Sequence, residues 1–373
     1  MVTAPHSDQP ESTTSAPESR TTCRPPEKSR RQATTRWTRP AVAAIAVLAA
    51  LSYAWSINHG MVDGYYAATV RSMASSWHDF LFGAFDPAGT ITIDKLPGAF
   101  WIQALSVRLF GLHTWALVLP QVLEGVGAVL VLYRAVRRLA GPGAGLVAAL
   151  VLAASPAIVT LDRGNISDSL MILLLVLAAD ATSAALTSGR LSHLLLAGLF
   201  VGLAFQAKMM EAWLVLPALG AAYLLAAPST VWRRLRSLLI LGVVTGVVSL
   251  LWMTAVTLTP ASSRPYVDGS HHDSEYEQVF VYNGFGRLGR QTPMQLLARQ
   301  SIGVAIPYPP PSWDRLVTGS PGRDAGWMLP AATFAGLFGL LSRRRRSRRD
   351  PIRTAIVLWG TWLVVFFGVL SVG

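Results

Sequence analysis

Two things are scarce in this sequence: charge and cysteine. Charged residues make up 14% of the 373 residues, against roughly 25% in an ordinary soluble domain, so the composition excludes a typical water-soluble globule. The single cysteine, Cys23, excludes an internal disulfide framework and a metal cluster built from cysteines. Cys23 lies in a polar stretch and is assigned no role.

Apolar residues are correspondingly abundant, at 52% of the chain, and the mean hydropathy is +0.42. They form long blocks separated by short basic clusters, which is the pattern of a polytopic membrane protein. We therefore predict an all-α membrane bundle with about nine transmembrane helices. The predicted spans are 41–57, 116–136, 144–161, 170–186, 191–207, 212–227, 238–258, 326–341 and 352–372. A shorter stretch, 99–112, has the length of an interfacial or re-entrant helix.

The formal net charge of +12 could indicate a nucleic-acid partner, but its distribution favours membrane topology. If the first span starts inside, the polar tail 1–39, predicted to be disordered, and the clusters 134–138, 233–236 and 343–353 are cytoplasmic. Most acidic residues then lie outside, as the positive-inside rule predicts. We expect a multi-pass protein of the cell membrane, with a cytoplasmic N-terminus, membrane lipids around it and no nucleic-acid partner.

Two segments, 58–115 and 259–325, form the predicted outer loops, and the first carries Asp63 and the pair Asp94-Lys95. The apolar spacing predicts an amphipathic helix over 65–77, and TITIDKLPG is a β-like run that ends in a proline turn. A carboxylate there can act as a general base or bind a metal, and an ammonium can pair with a phosphate. The alternative is that these are interfacial charges that cap helices and snorkel.

Two later junctions on the same predicted face also carry both signs of charge. LDRGNISDSL contributes Asp162, Arg163 and Asp168, and QAKMMEAW contributes Lys208 and Glu211, three residues apart on one predicted helical face. Paired charges that recur at one membrane face are costly unless they serve a purpose, so the sequence predicts a polar site at the outer leaflet.

Glu124 and Asp180 fall inside predicted spans, where an ionised carboxylate costs several kcal/mol unless it is paired or reached by water. They are either members of a proton relay or residues that pack against polar partners or stay protonated.

Several segments resemble one family of membrane enzymes. The segments are DGYYAATVRS, SWHDFLFGAFDPAGTITIDKLPGAFWIQALSVRLFG, LDRGNISDSL, GLAFQAKMMEAWLVLPAL, RPYVDGS and YNGFGRLGR. In order and spacing they resemble the actinobacterial branch of the family 39 membrane glycosyltransferases, which includes protein O-mannosyltransferases and aminoarabinose transferases. The resemblance covers about residues 40–373. It implies a GT-C fold, a bundle whose first outer loop forms juxtamembrane helices over a cavity, and a polyprenyl-phosphate-linked sugar as donor for a cell-envelope acceptor.

The resemblance also implies roles for individual residues. Asp63 would be the catalytic base or a metal-linked carboxylate. Asp94-Lys95-Leu96-Pro97 matches the family's acidic-Lys-Pro-Pro element, with Lys95 placed to hold the lipid phosphate and Leu96 as a departure from the pattern. Asp168 matches an acidic residue at the third-to-fourth-span junction, and Lys208 matches the family's lysine segment. With them we assign Asp94, Asp162, Arg163 and Glu211 to substrate binding.

No cofactor is assigned with certainty. A divalent cation such as Mg²⁺ or Mn²⁺ on Asp63 and Asp168 is the alternative way to neutralise the phosphate, since these ions prefer hard oxygen ligands. His271 and His272 invite a metal interpretation, but adjacent histidines in a Gly/Ser loop are more often exposed to solvent.

Three further readings stay open. Family members continue past the last predicted span, so the resemblance predicts a C-terminally short chain that is truncated and inactive, or that needs a second polypeptide. A transporter or lipid flippase would predict internal repeats with paired broken helices, which the sequence does not show. A catalytically inactive scaffold should be indifferent to the loss of Lys95.

Overall fold

The computed structural model describes Met1 and residues 27–60, 62–288 and 312–372, and the described residues are mostly helical. Most of the predicted tail and part of the second outer loop lie outside them. The first helix begins at Glu27, so the last part of the predicted tail is helical. The helices are α1 (Glu27–Tyr53), α2 (Gly64–Ser75), α3 (Trp77–Phe82), α4 (Gly98–Phe110), α5 (Thr114–Ala140), α6 (Pro142–Ala154), α7 (Pro156–Asp162), α8 (Asp168–Ser188), α9 (Leu191–Lys208), α10 (Leu216–Ala226), α11 (Val231–Leu258), α12 (Gly319–Asp324), α13 (Leu329–Ser342) and α14 (Pro351–Val372).

Five helical segments of the described structure are long and apolar enough to cross a membrane: Thr114–Ala140, Asp168–Ser188, Leu191–Ala226, Val231–Leu258 and Pro351–Ser371. A sixth is formed if α6 and α7, which meet at a bend of 62°, count as one span. Two shorter apolar helices, Trp37–Tyr53 and Gly326–Ser342, coincide with two more predicted spans. The all-α bundle is confirmed, and the count of nine stays a prediction.

The segment Leu191–Ala226 is a hairpin, because its two ends lie together. A Cβ added to Gly189 would lie 3.3 Å from the Cγ atom of Pro228, whereas a straight helix of 36 residues would separate its ends by about 54 Å. The chain reverses at Met209, whose φ is +54°, and continues through a 3₁₀ turn, Met209–Val215, into α10. The sequence therefore correctly placed two helices here.

The reversal defines the two ends of the bundle. We call the end where α8 begins and α9 finishes the loop end, and the end where α8 finishes and α9 begins the opposite end. The main core lies around α8, α9 and α10 and includes Leu175, Phe205 and Leu219, all almost completely buried. Gly198 and Gly202 allow α9 to approach α11 closely, since a Cβ on Gly202 would lie 2.5 Å from the Cβ of Val248.

At the loop end, α2, α3 and α4 form a small layer with its own apolar core, which includes Met73, Ile93 and Phe100. α4 buries one face and exposes Ile102, Leu105 and Leu109 on the other. This pattern, over only 13 residues, agrees with the predicted interfacial helix. Before α4, the β-like run forms only isolated bridges, Ala84 with Thr92 and Ile91 with Tyr266. The second of these joins the first loop to the second.

Candidate functional site

Asp63 is the N-cap of α2. Its backbone is extended, and its Oδ1 atom accepts hydrogen bonds from the backbone N–H groups of Tyr65 at 2.9 Å and Tyr66 at 3.2 Å. Aspartate is favoured at this position because it satisfies N–H groups that lack a helical partner. The side chain stays exposed and lines a cleft together with Val62, Thr160, Gly164 and Ile166. Asp63 and Thr160 are the cleft's two lining residues with polar side chains, and the Thr160 hydroxyl donates to the carbonyl oxygen of Pro156.

Asn165 holds the backbone of Asp63 from the α7–α8 loop. Its Oδ1 accepts from the Asp63 N–H at 2.7 Å, and its Nδ2 donates to the Asp63 carbonyl oxygen at 3.1 Å. Asn165 is fully buried. Two loops that are 102 residues apart in sequence therefore meet at the predicted base.

Lys95 lies beside α2 at Tyr66, the third residue after the Asp63 cap. Its Nζ donates to the Tyr66 hydroxyl, lies 4.5 Å from the centre of the Tyr66 ring and is 3.7 Å from Oδ1 of Asp94. The lysine side chain is 13% exposed, so its charge is partly shielded from water and interacts strongly with nearby groups. Leu96, which departs from the family pattern, is fully buried in the core.

The second loop holds the backbone of Asp94 in place. The Asp94 N–H donates to the Tyr65 hydroxyl at 3.0 Å, and this hydroxyl donates to Oδ2 of Asp268 at 3.1 Å. Nδ2 of Asn283 donates to the Asp94 carbonyl oxygen at 2.6 Å. Burial, together with the nearby carboxylates of Asp94 and Asp268, raises the pKa of Tyr65 well above its ordinary value. Tyr65 is therefore a neutral hydrogen-bonding link between the two loops.

Lys208, at the end of α9, lies between two carboxylates. Its Nζ contacts Oδ1 of Asp168 and lies 3.2 Å from Oε2 of Glu211. The sequence placed Lys208 and Glu211 on one helical face. In the structure α9 ends at Lys208 and Glu211 belongs to the 3₁₀ turn that follows, so the pair forms across the reversal at Met209.

Two close backbone contacts bring these groups together. A Cβ on Gly98 would lie 2.4 Å from the carbonyl oxygen of Gln206, and one on Gly284 would lie 2.5 Å from Sδ of Met210. The segment that follows Lys95 thus packs directly on the segment that precedes Lys208, and the second loop packs on the Met209 turn. Asp63, Lys95 and Lys208 accordingly belong to one arrangement at the loop end.

Asp162 and Arg163, two predicted substrate-binding residues, differ in how deeply they are buried. Asp162 is 1% exposed and packs on Gly125, where a Cβ would lie 2.0 Å from its Oδ2 atom. Asp162 is therefore buried against α5 and does not line the cleft. Arg163 caps α7 and is half-buried, and its guanidinium has no hydrogen-bond or ion-pair partner among the described residues. It remains a cation that could face a ligand.

The two carboxylates predicted inside spans differ as well. Asp180 is paired with Arg134 and Arg138 of α5, each at 2.8 Å, so it packs against polar partners. Glu124 is buried on α5, the helix against which Asp162 packs. These two residues do not form a continuous chain of carboxylates through the described bundle.

No group of three or more His, Cys, Asp and Glu residues that could hold a metal ion occurs in the ranges that the structure describes. A divalent cation on Asp63 and Asp168 would therefore have no third ligand from such a side chain within these ranges. His271 and His272 are exposed, and their backbone N–H groups donate to Oε2 of Glu277 at 3.0 and 3.1 Å.

Sequence reasoning missed Asn165, Tyr65, Tyr66 and Asp268. Each lies within or next to a segment that the sequence had singled out, yet none carries a charge pattern that marks a partner in a distant loop. The N-capping of α2 by Asp63 was the one local signal available, since aspartate directly precedes the helical segment.

Residues 94–257 match the family described as "Dolichyl-phosphate-mannose-protein mannosyltransferase". Two proteins of Bacillus subtilis (strain 168) are similar. "Putative mannosyltransferase YycA" is 43% identical over 228 residues, which is 61% of this chain and 33% of that protein. "Putative mannosyltransferase YkcB" is 41% identical over 230 residues, 62% of this chain and 32% of that protein. The chain thus spans about a third of the length of these curated relatives.

Among solved structures, ArnT from Cupriavidus metallidurans bound to undecaprenyl phosphate has a TM-score of 0.63 at 19% identity, over 91% of this chain and 56% of that one. The oligosaccharyltransferase AglB from Archaeoglobus fulgidus, in complex with an inhibitory peptide and a dolichol-phosphate, has a TM-score of 0.51 at 15% identity, over 91% and 50%. The predicted resemblance to the GT-C membrane glycosyltransferases is confirmed. The chain is a multi-pass membrane protein with this fold.

Proposed function

We propose that this chain is a glycosyltransferase that moves a sugar from a polyprenyl-phosphate carrier to a hydroxyl group of a cell-envelope acceptor at the outer face of the membrane. The proposal rests mainly on one observation. Asp63, Lys95 and Lys208, the last with its two carboxylate partners, lie at one end of a bundle whose fold is that of ArnT. The description of the matched family and the carrier lipids bound by ArnT and AglB support this donor class, and the names of the B. subtilis relatives support sugar transfer.

In the proposed reaction, Asp63 accepts the proton of the acceptor hydroxyl while the acceptor oxygen attacks the anomeric carbon. The bond from that carbon to the phosphate oxygen breaks with inversion, and the electron pair stays on the polyprenyl phosphate. The extra negative charge needs cations that are already in place. Lys95 supplies one, held by Tyr66, and Arg163 and Lys208 are further candidates.

The cleft beside Asp63 is the proposed acceptor side. It adjoins the exposed carboxylate and is otherwise lined mainly by apolar groups, so an acceptor would reach Asp63 without a competing cation. We place the loop end outside the cell because the basic clusters then lie in the cytoplasm.

The test is a transfer assay on membranes that contain the 373-residue chain, supplied with a panel of radiolabelled polyprenyl-phosphate sugars. We expect transfer from one donor, and a loss of at least a hundredfold in Lys95→Ala and in Asp63→Asn. Asparagine caps helices about as well as aspartate, so Asp63→Asn removes the base and retains α2. Arg71→Ala is the control, because Arg71 is an exposed cation of α2 without a partner among the described residues. An inserted wild-type protein that transfers no sugar from any donor contradicts the proposal.

The Lys95→Ala variant also tests the scaffold alternative, and the fold bears on the transporter alternative. A scaffold would bind its partner equally well with Lys95→Ala. A transporter built from inverted repeats would contain two broken spans, and the described part of the chain has one such bent pair, α6 with α7.

A further inference from the structure

Asn165 makes two hydrogen bonds to the backbone of Asp63, where one would be enough to join the two loops. The amide of Asn165 faces both polar groups of the Asp63 backbone, accepting from its N–H and donating to its carbonyl oxygen. This double contact needs one acceptor and one donor on a single planar group, which an asparagine amide offers and a carboxylate or a hydroxyl does not. The contact also fixes which way the amide is oriented.

Asn165 is itself held in place. Its backbone carbonyl oxygen accepts from Nε2 of Gln103 at 3.2 Å, and both side chains are fully buried. Next to it, the carbonyl oxygen of Arg163 would lie 3.0 Å from a Cβ on Gly60, so Gly60 packs closely on the α7–α8 loop. The loop therefore forms a rigid support that extends to α4.

Asp63, which Asn165 supports, is the residue whose carboxylate must be correctly oriented for the proposed reaction. Oδ1 of Asp63 is engaged by the first turn of α2, and the orientation of the carboxylate follows from the backbone of the N-cap. If that backbone is free to rotate, the first turn of α2 frays and the carboxylate leaves the edge of the cleft. A base that is displaced by about 1 Å loses much of its effect.

We propose that Asn165 is a positioning residue for catalysis, which holds the backbone of Asp63 so that its carboxylate faces the acceptor cleft. This inference rests on the proposed function of Asp63 as the base. Asn165 touches neither the donor nor the acceptor, and it acts only through Asp63.

Three variants test the proposal in the transfer assay. We expect Asn165→Ala to lower kcat at least tenfold. The KM for the donor should change less than threefold, because Asn165 does not contact Lys95, the proposed phosphate-binding residue. Asn165→Asp has nearly the same shape, but an ionised carboxylate there has no donor for the Asp63 carbonyl oxygen. We expect it to lower kcat as Asn165→Ala does. Thr245→Val is the matched control: it removes a buried hydrogen bond to the carbonyl oxygen of Gly198 and should leave both readouts unchanged.

A purely structural role would lower the amount of folded protein without changing kcat per folded molecule, and an unchanged kcat in Asn165→Ala overturns the proposal. Hydrogen–deuterium exchange in detergent separates this failure from that of the proposed function. Asn165→Ala should speed exchange in a peptide that contains residues 62–66, and Thr245→Val should not. Unchanged exchange there overturns the inference whatever the activity. Faster exchange in a chain that transfers no sugar supports the contact but overturns the catalytic role together with the proposed function.

Discussion

Acidic and basic side chains meet at both ends of the bundle, but in different surroundings. Toward the opposite end, Asp180, itself 7% exposed, binds Arg134 and Arg138, whose side chains are 53% and 37% exposed. At the loop end both partners are shielded: Lys208 and its two carboxylates are each less than 30% exposed, and Lys95 and Asp94 are 13% and 10% exposed. Exposed cations are screened by water and contribute little, whereas buried charges interact strongly and are costly to leave unpaired. The loop end thus concentrates electrostatic strength where the proposed chemistry needs it.

The sharpest way to break this comparison is to remove one cation from each end. Lys208→Met leaves Asp168 and Glu211 facing each other, and we expect the free energy of unfolding to fall by about 3 kcal/mol. Arg138→Met removes one of two exposed partners of Asp180 and should cost less than about 1 kcal/mol. Denaturant titration in detergent micelles measures both. Equal losses would show that burial does not distinguish the two ends.

A second test concerns the close packing that joins Lys95 to Lys208. Gly98→Ala puts a methyl group 2.4 Å from the carbonyl oxygen of Gln206, so the two segments must separate, at a cost of about 1–3 kcal/mol. Sugar transfer should fall as well. Gly220→Ala is the matched control, since no atom lies within 4 Å of its added Cβ. In mid-helix that change should stabilise α10 by about 0.5–1 kcal/mol. A tolerated Gly98→Ala would mean that the segments are loosely packed.

The third test uses pH, and it compares two glutamates of the second loop. Burial raises the pKa of Glu275 to about 8, although the nearby Arg264 opposes the shift. Its contribution to stability is therefore greatest below its unfolded pKa and is lost as the pH rises toward 8. Glu275→Gln should remove this alkaline loss, giving a variant more stable than the wild type at pH 9.

Glu277 is the control for that experiment. Desolvation alone would raise the pKa of Glu277. The hydrogen bonds from His271 and His272 outweigh this effect and lower the pKa. Its contribution is present above its unfolded pKa and disappears only as the pH falls through the folded value. Glu277→Gln should leave the alkaline side of the stability profile unchanged. If the stabilities of the two variants depend on pH in the same way above pH 7, burial does not raise the pKa of Glu275.

The sequence was most informative about features that depend on local pattern. Apolar blocks predicted the helices, and charges at successive span junctions predicted that Asp63, Lys95, Asp168 and Lys208 would gather at one end. Asn165 could not be found in this way, because asparagine in GNIS is also an ordinary turn residue. Its role depends on a partner 102 residues away. Asp162 shows the opposite limit: its charge suggested an exposed site residue, and only tertiary packing on Gly125 buries it.

The bridge between Ile91 and Tyr266 bears on the order in which the protein is made. The Thr92 N–H donates to the Tyr266 carbonyl oxygen, and the Tyr266 N–H donates to the Thr90 carbonyl oxygen, both at 2.9 Å. At translation rates of 5–20 residues per second, roughly 9–35 s separate the synthesis of these two segments. During that interval the first loop is already in place without its cover. Until α11 has been inserted and the second loop follows, Tyr65 lacks Asp268, and the backbone of Asp94 lacks Asn283. A nascent chain thus acquires its complete site only late in synthesis, so that most of the bundle is built before the proposed chemistry can begin.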